Sequence, residues 1–159
     1  MRVRLIASAA ILAAIGGFIA CNDSTAPDST IFVSTLSGAN ERPNPVTTPA
    51  TGTATYTLTG NELAYTITVT GLTSNTTMSH IHLGGAAVAG PIIVPYTVYA
   101  IQSGVVTTGV IDLSKPVASG ANTISGDSLL VLLNNGSAYT NVHTVTNGGG
   151  EIRGQIIRQ

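Results

Sequence analysis

Short runs in which apolar and polar residues alternate follow one another along most of the chain and predict β-strands. The clearest pair of runs is joined by Gly60-Asn61, a dipeptide that suits a hairpin turn. Because the period is two, each strand of this hairpin has an apolar face and a threonine-rich face, and we expect the second face to lie in water. The predicted strands cover 31–37, 51–59, 63–70, 78–83, 92–98, 104–113, 138–145 and 151–157.

One segment, 125–136, departs from this pattern. Ser125 is a suitable helix cap, the leucines at 129–133 favour a helix, and Gly136 is a stop signal. A buried strand also fits the apolar run, and we favour the helix. The glycines at 148–150 can reverse the chain between the last two strands. The sequence therefore predicts an all-β fold, an antiparallel sandwich or Greek-key β-barrel, with one short helix.

The N-terminal segment predicts export. Arg2 and Arg4 precede an apolar run at 5–20 that is free of charge and a little short for a membrane span. The end of this run is similar to the lipobox of bacterial lipoproteins, although Phe18 replaces the usual leucine, and the resemblance implies acylation of Cys21. We predict a signal peptide over 1–20, a flexible tether over 21–30 and one domain over 31–159. A free thiol after an uncleaved signal is the alternative for this single cysteine.

The charge balance argues against a nucleic-acid partner. Removal of Arg2 and Arg4 from the six basic residues leaves four, against seven acidic ones. No basic stripe remains that could neutralise a phosphate backbone. Membrane lipid, bound through acylated Cys21, is the predicted partner, at the periplasmic face or on the surface of a bacterial cell.

All three histidines occur in two short motifs, Ser79-His80-Ile81-His82 and Asn141-Val142-His143-Thr144. On a strand, His80 and His82 share one face and lie about 6.5 Å apart. If His143 packs against them, the three imidazoles can hold copper or zinc. The alternatives are structural histidines that hydrogen-bond loop backbone, and acid–base chemistry.

Four motifs follow one another along the chain. They are Leu36-Ser37-Gly38-Ala39-Asn40-Glu41-Arg42-Pro43, Ser79-His80-Ile81-His82-Leu83-Gly84, Ala138-Tyr139-Thr140-Asn141-Val142-His143-Thr144 and Gly150-Glu151-Ile152-Arg153-Gly154-Gln155-Ile156. In this order they resemble the CHRD, or chordin-type, domain of animal chordin and of many exported bacterial proteins. The resemblance covers 31–157 and implies an immunoglobulin-like β-barrel with limited similarity to copper/zinc superoxide dismutases. It implies no defined activity.

The likeness to the dismutases covers only part of their metal site. His80-Ile81-His82 is similar to their His-x-His copper pair, and Val142-His143 is similar to the strand that carries a later copper histidine. The bridging histidine, the zinc ligands and the disulfide cysteines of that family have no counterpart in this sequence. The resemblance therefore implies at most a site for one copper ion, and dismutase activity is the least supported function.

Five further residues of these motifs are candidates for supporting the histidines. Each glutamate can accept a histidine N–H or complete a coordination sphere, but a local ion pair with a neighbouring arginine is favoured. Tyr139 and Asn141 share strand parity with His143, so they can line the same pocket, and Tyr139 also fits a barrel aromatic with its hydroxyl at the rim. The five are Glu41, Tyr139, Asn141, Glu151 and Arg153.

These patterns predict an exported, lipid-anchored binding module with a copper or zinc site at the three histidines. The alternative is a structural or cell-surface interaction module without metal, whose partner is an unidentified protein or glycan. No nucleophile elbow or catalytic triad occurs in the sequence, so we predict no catalytic residue.

Overall fold

The computed structural model describes residues 28–119 and 122–159. The predicted signal peptide over 1–20, Cys21 and most of the predicted tether lie outside the described residues. No helix of the described part combines the length and the apolar character needed to cross a membrane. The described elements are β1 (Ser29–Ser37), a 3-10 turn (Gly38–Asn40), β2 (Thr51–Thr59), β3 (Glu62–Thr70), β4 (Thr76–Leu83), β5 (Ile92–Tyr96), β6 (Gly104–Asp112), β7 (Val117–Ser119), β8 (Asn122–Ile124), α1 (Gly126–Asn134), β9 (Ala138–Thr144), β10 (Ile152–Gln155) and β11 (Ile157–Arg158).

Nine strands form one antiparallel sheet in the order β5-β4-β9-β10-β1-β2-β3-β6, and β11 also pairs with β1. The edge strands are β5 and β6. Tyr96 of β5 packs against Tyr65 of β3 with ring centroids 4.5 Å apart, which brings the two ends of the sheet together. The sheet is thus an almost closed barrel, and the predicted all-β antiparallel fold is confirmed.

The best-defined hairpin is the one the sequence predicts. Strands β2 and β3 pair without interruption from Thr51 opposite Thr70 to Thr59 opposite Glu62. Gly60 begins the two-residue turn with φ 58°, a conformation that costs other residues energy. The pattern does not predict β7 and β8, which pair only with each other, because their segment is short and lacks an apolar alternation.

The predicted helix is confirmed as α1. The Ser125 hydroxyl caps it by accepting a hydrogen bond of 3.1 Å from the backbone N–H of Ser128. Leu129 and Leu133 are fully buried against the barrel. Gly136 follows the helix with φ 69°, as a helix-terminating glycine does.

The sheet has two walls with different outer faces. The wall of β1, β2, β3 and β6, which we call the wet wall, alternates between buried and more exposed residues along β1, β2 and β3, as the hairpin pattern predicts, and along β6 except at the buried neighbours Val106 and Thr107. The wall of β4, β9 and β10, which we call the covered wall, buries residues on both faces, and every residue of β9 is buried. The inner faces share one core, which includes Phe32, Leu36, Tyr56, Leu63, Ile67, Ile81, Val142 and Ile152. Loops therefore cover the outer face of one wall only.

Candidate functional site

The pairing of β4 with β9 brings the three histidines together on the outer face of the covered wall. His80 lies opposite Asn141, and His143 lies opposite Met78, so the His80 and His143 side chains are diagonal neighbours. His82 follows two residues after His80 on the same face. The fold thus places the third imidazole beside the His-x-His pair.

The separations between the rings approach those that a metal ion requires. The ring centroids lie 5.0 Å apart for His80 and His143, 5.4 Å for His80 and His82, and 6.1 Å for His82 and His143. One nitrogen from each ring lies within 4.8 Å of the other two. Tetrahedral ligands at bond lengths of 2.0–2.1 Å would lie about 3.3 Å apart. His80 Nδ1 and His143 Nε2 already meet this separation at 3.2 Å.

Two loop carbonyls fix which nitrogen of each ring carries the proton. His82 Nδ1 lies 2.9 Å from the carbonyl oxygen of Gly90, and His143 Nδ1 lies 3.0 Å from that of Gly148. A carbonyl only accepts hydrogen bonds, so both rings carry the proton on Nδ1 and keep a lone pair on Nε2. Metal-binding histidines commonly donate their second ring N–H to a carbonyl or carboxylate in this way.

The Nε2 atom of His82 is buried and makes no hydrogen bond among the described residues. Buried polar atoms in folded proteins nearly always have a partner, because leaving a lone pair unsatisfied costs about 1–3 kcal/mol. His143 Nε2 accepts instead from His80 Nδ1. The cluster therefore contains an acceptor that the described residues leave unsatisfied.

Burial keeps all three imidazoles neutral. His80 and His143 are buried and His82 is half-buried. Burial, together with the nearby His143 and His82, lowers the pKa of His80 to about 4. Burial also lowers the pKa values of His82 and His143, although the hydrogen bonds to Gly90 and Gly148 oppose this effect. Neutral imidazole is the form that can bind a metal ion, so the protonation state of the three rings at neutral pH is compatible with a metal site.

Glycines bring the two covering loops close to the strands. A Cβ atom on Gly90 would collide with the backbone carbonyl of Leu83. Gly150 has φ 126°, and a Cβ there would lie 2.7 Å from Asn141 Oδ1 and 2.8 Å from Glu41 Oε2. Only glycine suits either position without rearrangement, which explains the glycines beside the histidine motifs.

A stack of three side chains supports His82. Its ring lies parallel to that of Tyr139, with centroids 4.8 Å apart and an interplanar angle of 9°. The guanidinium carbon of Arg153 lies 3.4 Å from the centroid of the same tyrosine ring. Because β9 lies between β4 and β10, the tyrosine ring is held between the imidazole and the guanidinium. The Tyr139 hydroxyl accepts from the Gly90 N–H at 3.1 Å and so also holds the loop that binds His82.

Asn141 and Glu41 form the next part of the outer face. Asn141 Nδ2 donates to Glu41 Oε1 at 2.7 Å, while Asn141 Oδ1 is buried without a partner among the described residues. Burial raises the pKa of Glu41 to about 7, against the hydrogen bond from Asn141 and the charges of Arg153 and Arg42. Glu41 is not among the three clustered residues, and its carboxylate contacts Asn141 rather than a histidine ring.

A comparison with protein families identifies the domain. The family model of the CHRD domain matches residues 32–156. The chain belongs to the CHRD-domain family. No curated protein and no solved structure matches it. All strands of the covered wall lie within the matched residues, so the histidine cluster is part of the CHRD domain itself.

The local ion pairs expected within this CHRD domain are not formed. Among residues 28–119 and 122–159 the only ion pair is Lys115 with Asp112. The prediction that Glu151 pairs with Arg153 is wrong because Glu151 precedes β10 and lies at the end of the barrel, fully buried. Its carboxylate accepts four hydrogen bonds of 2.7–2.9 Å from Thr48, Thr73 and Thr144. Burial would raise the pKa of Glu151, but these bonds lower it.

The sequence reasoning missed the loop partners of the CHRD histidines. Two of them are the backbone carbonyls of Gly90 and Gly148, which no side-chain motif marks. The sequence predicts only a chain reversal at the glycines of 148–150. The signal that was present is the proximity of each glycine-rich loop to a histidine motif in the sequence, at 84–90 and 148–150.

Proposed function

We propose that this CHRD domain binds one copper or zinc ion through His80, His82 and His143. The observation that carries the proposal is the buried, unpartnered Nε2 of His82 beside two other neutral imidazoles. The tautomers set by Gly90 and Gly148 direct lone pairs, not protons, to the Nε2 positions. An entering ion would replace the hydrogen bond between His80 and His143, and His80 would then release its Nδ1 proton or rotate.

The donor set favours a transition metal over calcium or magnesium. Three imidazoles suit copper and zinc, whereas calcium and magnesium prefer oxygen ligands. The set offers no fourth protein ligand among the clustered residues, which leaves a coordination position for water or another small molecule. Metal buffering, metal delivery or protection against redox stress are the roles that such a site supports, and superoxide dismutation is the least supported.

A structural role for the histidines is the second candidate. The hydrogen bonds from His82 to Gly90 and from His143 to Gly148 hold both covering loops against the sheet. In this case the domain would be an interaction module with a protein or glycan partner. The structural role uses only Nδ1 of His82, and it does not account for the burial of Nε2 without a partner among the described residues.

We place the domain outside the cytoplasm as part of the same proposal. The predicted signal peptide and acylated Cys21 would anchor it in a bacterial membrane, facing the periplasm or the cell surface. The low charge content and the single cysteine outside the domain support this location.

Metal titration of the full chain in detergent tests the proposal. Copper(I), copper(II) and zinc(II) are titrated into the unaltered protein, into His80→Ala, and into Thr77→Ala as a matched control on an exposed position of β4. We expect one-to-one, sub-micromolar binding that His80→Ala weakens at least a hundredfold and Thr77→Ala leaves within twofold. Absence of binding in the unaltered protein, with His80→Ala only less stable, would favour the structural role.

A further inference from the structure

A polar cavity lies on the side of the Tyr139 ring that faces away from His82. Its volume is about 100 Å³, roughly the liquid volume of three waters. We call it the Arg42–Arg153 cavity. Two of its lining side chains are arginines and none is acidic. The lining residues are Asn40, Arg42, Ala86, Arg153 and Gln155.

Arg153 brings a buried positive charge to this cavity. It is only 2% exposed and is among the largest fully buried side chains of the described part. One hydrogen bond of its guanidinium is present among the described residues, from Nη2 to the Gly85 carbonyl at 2.9 Å. A guanidinium carries five N–H donors, and a buried charge without an opposite charge in contact is costly. The stack on Tyr139 satisfies one face of the group, but not its remaining donors.

Arg42 adds a second positive charge at the same cavity. Its Nη1 donates to the carbonyls of Glu41 and Ala39, at 2.7 and 3.2 Å, which holds the guanidinium in place. Burial lowers the pKa of Arg153, and the charge of Arg42 lowers it further, against Tyr139 and Glu41. The two cations therefore repel each other across a confined space.

No carboxylate of the described residues makes an ion pair with either arginine. Glu41 lies nearby, but its Oε1 already accepts from Asn141, and its raised pKa leaves it only partly ionised at neutral pH. Two guanidiniums that lack a counter-charge are the arrangement that binds oxyanions in many proteins.

Gln155 narrows the class of ligand. The two N–H groups of its Nε2 are shared among the carbonyls of Gly84, Gly136 and Ala138, at 2.7–2.8 Å, which fixes the amide orientation. Its Oε1 is buried without a donor among the described residues. A ligand that carries a hydroxyl group as well as a negative charge would satisfy this acceptor and the two arginines together.

We propose that the Arg42–Arg153 cavity binds a small oxyanion that carries a hydroxyl group, with the chemistry shared by bicarbonate and hydrogen phosphate. The arginines supply the charge and the hydrogen-bond donors, and Gln155 accepts from the hydroxyl. The site is separate from the histidine cluster and does not depend on a bound metal.

Isothermal titration of the full chain with phosphate and with bicarbonate tests this site, in the presence of a chelator and at constant ionic strength. Nitrate, which has no hydroxyl, and chloride are the comparison anions. We expect saturable binding of phosphate, bicarbonate or both that nitrate and chloride do not reproduce. Arg42→Gln should raise the dissociation constant at least tenfold, whereas Arg158→Gln, which removes an exposed arginine, should change it less than twofold. His80→Ala should retain the binding, which separates this site from the proposed metal site.

Several results would overturn the proposal. They are binding of neither phosphate nor bicarbonate, equal binding of chloride, or equal weakening by Arg42→Gln and Arg158→Gln. If Arg42→Gln does not fold, Arg42→Lys keeps the charge and removes the planar fork, and it should still weaken binding.

In the unaltered protein, the Nε–H resonance of Arg153 should shift as phosphate is added. A resonance that does not move at saturating phosphate would contradict the site without any substitution.

Discussion

The wet wall and the covered wall belong to one sheet and share one apolar core, but their outer faces carry different side chains. On the wet wall the outer face is rich in threonine and lies in water, as along β2 and β3. On the covered wall the outer face carries histidines, a tyrosine, an asparagine and an arginine, and the loops at 84–90 and 146–150 cover it. The apolar core explains why the inner faces of both walls are buried. It does not explain why one wall also buries polar side chains on its outer face.

The distribution of unsatisfied polar atoms supports this difference. In the described part of the chain, three buried side-chain atoms lack a hydrogen-bond partner, and all three lie on the covered wall. Such atoms are uncommon and call for an explanation such as a ligand, an ion or a water. The three are His82 Nε2, Asn141 Oδ1 and Gln155 Oε1. No such atom occurs on the described strands of the wet wall, which supports placing both proposed sites on the other side of the barrel.

The two walls should differ most in how much free energy of unfolding is lost when one outer-face side chain is replaced by alanine. Tyr139→Ala removes a buried aromatic ring from between His82 and Arg153, and we expect a loss of about 3–5 kcal/mol in the free energy of unfolding. Thr55→Ala, on the exposed face of β2, should change it by less than about 0.5 kcal/mol. Chemical denaturation measures both, and similar losses would show that the walls do not differ as described.

The close packing of the loop at 146–150 on the covered wall can be tested by replacing two of its glycines with alanine, one at a time. Gly150→Ala introduces a Cβ against Asn141 and Glu41 at a positive φ, and we expect a destabilisation of about 1–3 kcal/mol. Gly148→Ala meets no atom within 4 Å and should change the free energy of unfolding by no more than about 1 kcal/mol. Thermal denaturation of the two variants gives the comparison. A neutral Gly150→Ala would mean that the loop does not pack closely on the wall.

The contributions of His80 and Glu41 to stability should depend on pH in opposite directions. The pKa of His80 falls from 6.5 to about 4 on folding, so the unfolded chain binds more protons between these values. Stability should therefore fall as the pH is lowered from 6.5 to 4. The pKa of Glu41 rises from 4.5 to about 7, so its contribution is full below pH 4.5 and is lost as the pH rises to 7.

Two variants measured in the presence of a chelator separate these opposing effects, which partly cancel in the unaltered protein. The stability difference between the unaltered protein and His80→Gln should grow in favour of the unaltered protein from pH 4 to 6.5. The difference from Glu41→Gln should decline from pH 4.5 to 7. Parallel curves for all three proteins would contradict the burial of both groups.

The sequence predicts much of the fold because its signals are local. The alternation along β2 and β3, the Gly60-Asn61 turn and the Ser125 cap each depend on residues close together in the chain. The shared face of His80 and His82 follows from strand parity alone. These elements agree with the structure for that reason.

The rest of the site depends on contacts between distant residues. The approach of His143 to His80 requires the pairing and register of β4 with β9, which local patterns do not specify. The expected pair of Glu151 with Arg153 failed because β10 begins only at Ile152, so the two side chains do not share a strand face. The role of the Gly90 and Gly148 carbonyls could not be predicted, since every residue has a carbonyl and only the folded loops select these two.

Nitrogen NMR of the three histidines tests the central claim, that their lone pairs form a metal site on the covered wall. Long-range proton–nitrogen spectra of the histidine-labelled full chain are recorded without metal and with one equivalent of zinc(II). We predict Nδ1-protonated tautomers for His82 and His143 without metal, and zinc-induced shifts of one nitrogen in each of the three rings that are complete at one equivalent. Protonated Nε2 atoms in the metal-free protein, or spectra that excess zinc leaves unchanged, would contradict the claim.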